Sequence, residues 1–129
     1  MSTSQTQRNQ MILGLPDDLV TAVHAAYAKK ATDVVTLNLK KVSSFTDYFL
    51  ICTGQSTRQV RAIAEAIEAD VAASGTKPAY VEGYDRSDWI LLDYFDFVVH
   101  IFTGDQRRFY SLERLWGSAE RVIVPDPAA

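Results

Sequence analysis

The sequence predicts an α+β fold: a mixed sheet of five strands with helices covering one face. Three observations point to it. Short segments with period-two alternation or unbroken apolar character (34–39, 48–53, 79–82, 89–92 and 97–103) are separated by longer stretches of helical period. The turn Gly54-Gln55-Ser56 joins a strand directly to the longest of those helices, and with the next strand, 79–82, they make a β-α-β unit whose crossover should be right-handed. Residues 89–103 read as a β-hairpin entered by a polar, glycine-containing loop.

Size and composition narrow the function classes. A chain of 129 residues is one domain, able to bury roughly two-thirds of its unfolded surface. Hydrophobic content of 47% and charged content of 22% are ordinary for a globular protein. No apolar run approaches the roughly 20 residues of a membrane helix. Residues 1–10 carry no charge besides Arg8 and lack the apolar centre of a signal peptide, so a cytoplasmic location is expected. The single cysteine, Cys52, excludes an internal disulfide and a cysteine-based zinc cluster. At a net charge of −3, no global field draws the chain to nucleic acid. Lys29-Lys30, Lys40-Lys41 and Arg107-Arg108 read first as solvated surface and helix-end charge, with RNA contact through one pair a secondary option.

Taken in order, residues 1–14 are expected to be a disordered lead, 15–120 the folded domain and 121–129 a flexible tail. Pro16-Asp17-Asp18 opens a helix, with two carboxylates at the positive end of its dipole and Leu19, Val20, Val23 and Tyr27 at helical spacing. His24 falls on or beside that stripe as a partly buried helix histidine. Residues 34–39 alternate, with Val35, Leu37 and Leu39 on the buried side. Residues 48–53 are apolar on both faces, as in an interior strand, and Cys52 there is a small hydrophobe. Ser56 and Gln59 have capping-box spacing, and Val60, Ile63, Ala64, Ile67 and Val71 form the buried stripe of the long helix. Gly75 is its left-handed stop. Residues 105–117 read as a final helix, with Phe109, Leu112, Leu115 and Trp116 on one side.

The hairpin register decides which side chains share a face. A four-residue loop at 93–96 sets Leu92 opposite Phe97, Ile90 opposite Val99 and Trp89 opposite His100. One face is then Ile90, Leu92, Phe97, Val99 and Ile101; the other is Trp89, Leu91, Val98, His100 and Phe102, with Asp93 at its edge. Tryptophan ringed by a few polar groups is typical of protein-binding hot spots, so the second face reads as a docking face. A helix laid across it would return Trp89 to the core, and pattern alone leaves both readings open.

Enzymatic constellations are incomplete. The Gly54-Gln55-Ser56 turn lacks the second glycine or lysine of a phosphate-binding loop, and a capped helix start explains it. Nucleotidyl transfer needs two carboxylates at alternate positions on one strand face to hold magnesium. This chain offers Glu82 alone on one strand, while Asp93 and Asp96 suit turn chemistry. His100 with Asp93 lacks a nearby nucleophile. No motif calls for a cofactor or a metal.

Several blocks together carry a family resemblance: Thr46-Asp47-Tyr48-Phe49-Leu50-Ile51-Cys52-Thr53-Gly54-Gln55-Ser56, then Glu82-Gly83, Trp89-Ile90-Leu91-Leu92-Asp93-Tyr94, Val98-Val99-His100-Ile101-Phe102 and Arg108-Phe109-Tyr110-Ser111-Leu112-Glu113-Arg114-Leu115-Trp116. In order and spacing they resemble the ribosomal silencing factor (Iojap-like) family, from about Leu19 to Trp116. The resemblance implies a fold related to nucleotidyltransferases without their active site. It implies a cytoplasmic, non-enzymatic factor that docks on ribosomal protein uL-fourteen of the large ribosomal subunit. There it blocks joining of the small subunit and represses translation under nutrient limitation, with homodimers when free. Trp89, Asp93, Tyr94 and His100, with Tyr110 and Trp116, are the partner-facing residues it implies. Where the family commonly has glycine this chain has Phe95, so the hairpin tip is expected to demand φ > 0 of a phenylalanine. The competing expectations are a nucleotide-binding or nucleotidyl-transfer enzyme using Ser56, Glu82 and Asp93, and a direct RNA binder.

Overall fold

The computed structural model describes residues 14–128; the lead expected over 1–14 lies, Gly14 aside, outside the described residues. The elements are α1 (Asp17–Ala28), β1 (Thr32–Asn38), β2 (Tyr48–Gly54), α2 (Thr57–Ala72), β3 (Tyr80–Glu82), β4 (Trp89–Asp93), β5 (Phe97–Thr103), α3 (Gly104–Tyr110), α4 (Leu112–Leu115) and β6 (Glu120–Val122). The fold is α+β, and its sheet is mixed, with strand order β3-β4-β5-β2-β1-β6.

The long helices form where the sequence places them. Pro16 precedes α1, whose first turn holds Asp17 and Asp18, and His24 is half-buried on it. At α2 the Ser56 hydroxyl accepts from the Gln59 amide at 3.1 Å, and the Gln59 side chain reaches back to the Gln55 amide. All five stripe residues of α2 are buried. Gly54 is required here: a Cβ on it would lie 2.8 Å from the Val60 amide, so the helix could not start so close to the strand end. Both helices cover the face built from Leu50, Cys52, Ile90, Leu92, Phe97, Val99 and Ile101, which forms the main core.

Two expectations change. The sheet has six strands rather than five, because Glu120–Val122 pairs antiparallel with β1, Leu37 opposite Arg121. Without it, β1 would leave a row of unpaired amides and carbonyls at the sheet edge. A three-residue strand is too short to show alternation. The folded unit therefore runs past the expected boundary at 120, and Val124 is buried in the main core. The β-α-β unit forms as expected: β3 runs parallel to β2 in the same sheet, with the hairpin β4-β5 inserted between them, so the immediate parallel neighbour of β2 is β5, from Tyr48 opposite Phe97 to Gly54 opposite Thr103. Secondly, the final helix is broken. Ser111 takes a left-handed φ of +47° between α3 and α4, and its hydroxyl bonds the Arg108 carbonyl at 2.8 Å, the local competition that makes serine a helix ender.

Candidate docking face

The hairpin forms in a register two residues away from the expected one: Trp89 lies opposite Phe102, Leu91 opposite His100, Leu92 opposite Val99 and Asp93 opposite Val98. The expected four-residue loop shrinks to Phe95 and Asp96, closed by the Tyr94 amide on the Phe97 carbonyl at 2.9 Å. A slip of two residues leaves every side chain on its face, so the division into an aliphatic and a decorated face survives.

The decorated face lies away from α1 and α2. Leu37, Leu39, Phe49, Ile51, Val98 and Phe102 form a second buried cluster there, flanked by half-buried Val35, Trp89, Leu91, Trp116 and Ala119. The segment after α4 covers part of it: the Trp116 ring meets Phe49 edge-on at 5.8 Å and the exposed Phe45 at 6.1 Å. The β3–β4 side is less covered. Opposite-residue pairing puts Tyr80 beside Asp93 and Glu82 beside Leu91 on this face, and Tyr80 is 53% exposed. An apolar, aromatic surface with a polar margin is therefore left half-open.

His100 sits beneath Trp89. The indole Nε1 donates to His100 Nδ1 at 3.2 Å, which leaves the imidazole proton on Nε2, and Nε2 is buried with no partner among the described residues. Phe49 meets the imidazole edge-on at 4.7 Å, and Phe102 stacks parallel to it at 6.1 Å. Burial among these rings pushes the His100 pKa down to about 4, so it is neutral and can accept from Trp89. His100 is only 5% exposed, so it supports the face from below and does not present itself to a partner.

Residues 83–88 set the Trp89 backbone. Gly83 has φ +101°, and a Cβ there would lie 2.0 Å from the Trp89 carbonyl oxygen. From α2, Arg61 donates to the Tyr84 carbonyl at 2.6 Å and to the Ser87 hydroxyl at 3.2 Å. The Tyr84 hydroxyl donates to Glu68, and burial beside that carboxylate raises its pKa. Between this loop and the sheet lies a cavity of roughly 350 Å³ lined by Glu82, Gly83, Asp85, Arg86, Asp88, Trp89 and Leu91. Three carboxylates stand around it against one arginine, which is 3.7 Å from Asp88.

At the hairpin tip Asp93 Oδ1 accepts from the Phe95 amide at 2.9 Å, the Asx turn its position predicts. Phe95 has φ +71°, and its ring is 74% exposed. The Asp96 amide bonds the Tyr94 carbonyl, closing a γ-turn around Phe95. The preceding loop pins this turn: the Thr46 hydroxyl donates to the Phe95 carbonyl at 2.9 Å and the Asp47 amide to the Asp96 carbonyl at 3.1 Å.

Of the six residues named from sequence, Trp89, Asp93, His100 and Trp116 share this face. Tyr94 does not: it is 6% exposed in the main core, stacked on Phe97 at 4.8 Å, with its hydroxyl unpartnered among the described residues. The tight turn carries it over to the helix side. Tyr110 ends α3, and its side chain lies outside the described residues. Phe45, 62% exposed beside Trp116, was missed. An aromatic residue in the polar loop Ser43-Ser44-Phe45-Thr46 was its available signal.

Other candidate chemistry is accounted for structurally. Burial pushes the Cys52 thiol up to about 12, which leaves it inert. Asp93 is committed to its turn, and among the described residues no three His, Cys, Asp or Glu side chains gather as a metal site. Among them, too, no helix is long and apolar enough to cross a membrane.

Residues 14–129 match the model of the family described as ribosomal silencing factor during starvation (RsfS). The chain belongs to the ribosomal silencing factor family. A ribosomal silencing factor RsfS from Halalkalibacterium halodurans is 45% identical over 104 residues, covering 81% of this chain and 89% of that protein. More distantly, a mouse protein named mitochondrial assembly of ribosomal large subunit protein 1 is 27% identical over 107 residues, covering 81% of this chain and 47% of that one. The crystal structure of a Chromobacterium violaceum protein superposes with a TM-score of 0.76 at 31% identity, covering 78% of this chain and 84% of that one.

Proposed function

We propose that this ribosomal silencing factor binds the large ribosomal subunit and, seated there, sterically blocks joining of the small subunit, repressing translation when nutrients run low. The observation that carries the reading is the Trp89 face: a buttressed, half-buried indole on the same sheet face as Leu91, Asp93 and Tyr80, in a chain that belongs to a family described by silencing of ribosomes. The mouse relative is named for the large subunit, which supports that side of the ribosome as the seat.

The partner in this reading is ribosomal protein uL-fourteen. An acidic factor is repelled by ribosomal RNA as a whole, and a basic protein surface resolves that conflict. Glu82, Asp85 and Asp88 around Trp89 supply the complementary charge, and Trp89 the apolar anchor. Asp93 and Trp116 flank the contact, and His100 holds the indole. Inhibition then follows from occupied volume and needs no turnover. Sedimentation of purified subunits tests the proposal: the protein is expected in the large-subunit fraction, with fewer joined ribosomes. Absence from that fraction refutes it.

A further inference from the structure

Two basic pairs that look like scattered surface charge in the sequence meet at one end of the fold, where the parallel strands β2 and β5 terminate. Gln59 Nε2 donates to the Lys29 and Lys30 carbonyls at 3.1 and 3.2 Å, fastening that turn to α2 beside Arg58. Lys30 lines a cavity with Thr32 and Gln55. Thr32 pairs with Thr53, and the Thr53 hydroxyl accepts from Arg107 Nη1 at 2.9 Å. Arg107 also donates to the Asp33 carbonyl, and Arg107 and Arg108 line an open cavity of roughly 280 Å³ with Asp33, Thr53, Gly104 and Ser111. Five of the chain's thirteen lysines and arginines thus lie toward this end of a molecule of net charge −3, Lys30 and the two arginines lining neighbouring cavities joined through the Thr32–Thr53 pair. Asp126 and Asp33 line the same two cavities, and Asp105 is paired with Arg108. Lys29, Lys30 and Arg58 are exposed and form no ion pair among the described residues.

Backbone conformation marks the same end. Lys30 (φ +64°), Asp33 (φ +48°) and Ser111 (φ +47°) are three of the five non-glycine residues at positive φ among the described residues. Such conformations are costly and persist where the surroundings impose them. The left-handed turn at Asp33 accompanies the carbonyl that receives Arg107, so the guanidinium is held before any ligand arrives.

We propose that this end of the fold binds the phosphate backbone of RNA, as a second contact beside the protein-docking face. The cations are spread across it instead of converging on one point, which suits a run of phosphates better than a single anion. Contacts to phosphates position an RNA without reading its sequence. The inference rests on the ribosome reading only in that RNA then lies next to the docked protein.

The test uses the full chain and a variant combining Lys29→Gln, Lys30→Gln and Arg58→Gln, with circular dichroism confirming both folds. A fluorescent RNA stem-loop is titrated at about 50 mM salt and upward, where counterion release makes phosphate contacts visible. The variant is expected to bind at least tenfold more weakly, with a log–log salt slope shallower by about 2, at roughly 0.7 per lost phosphate contact. Arg58→Gln alone should shift both in the same direction by less. No binding by the wild type, an unchanged slope in the variant, or equal binding of polyglutamate overturns the proposal. Trp89→Ala separates the two readings: it should lose subunits and keep the stem-loop. Failure of wild-type protein to bind subunits while the RNA arm holds refutes only the docking reading.

Discussion

The indole Nε1 of Trp89 donates to Nδ1 of His100 at 3.2 Å across the hairpin, from a half-exposed ring to a buried one. The bond fixes the indole in one rotamer above the sheet, so little of its conformational entropy remains to be lost when a partner covers it. It also ties the Trp89 face to the protonation state of a buried residue.

That tie predicts a pH dependence. His100 is held neutral, with a pKa near 4 against 6.5 when unfolded. Between those values the unfolded chain binds a proton that the folded one does not, so stability falls as pH drops from about 6.5 to about 4. The full effect is on the order of 3 kcal/mol. Urea unfolding across this range, compared with His100→Asn, should show a steeper fall for the wild type. Parallel curves would mean that His100 is not held neutral by burial.

Phe95 occupies a φ of +71° with its ring mostly in solvent, so little packing is lost on truncation. Phe95→Gly should stabilise the protein by up to about 1 kcal/mol, as relief of the left-handed strain outweighs the extra freedom of the unfolded glycine. A midpoint shifted downward in urea would contradict this account of the tip.

Gly83 and Tyr94 supply a contrasting pair. Gly83→Ala places a methyl group against the Trp89 carbonyl, so it should cost at least about 2 kcal/mol and weaken ribosome binding as well. Tyr94→Phe removes a buried hydroxyl without a partner among the described residues, and should leave stability unchanged or raise it by about 1 kcal/mol. It should also leave subunit binding intact. A large binding defect in Tyr94→Phe would return Tyr94 to the interface.

Much of this was legible because it is local. The α2 cap and stripe, the interior character of Tyr48–Gly54 and the two-faced hairpin each follow from spacing within one segment. Even the wrong hairpin register kept the right faces, since it erred by two residues. The parts that were not legible depend on distant pairing or on a single backbone angle. Glu120–Val122 becomes a strand only because β1 offers an edge. Tyr94 crosses to the core because the turn at Phe95 and Asp96 is tighter than expected, and the final helix breaks at the φ of Ser111 alone. Tyr94 shows the consequence for the site: a residue beside Asp93 in sequence ends on the opposite side of the sheet.

The central claim is that the Trp89 face holds the protein on the large subunit and so prevents subunit joining. The most direct measurement adds wild-type or Trp89→Ala protein to purified subunits under joining conditions and resolves the products by sedimentation. The account predicts that wild-type protein co-sediments with the large subunit and suppresses joined ribosomes. Folded Trp89→Ala should lose about 2 kcal/mol or more of binding and with it the suppression. Normal suppression by the folded variant, or joined ribosomes forming at full yield with wild-type protein bound, would contradict it.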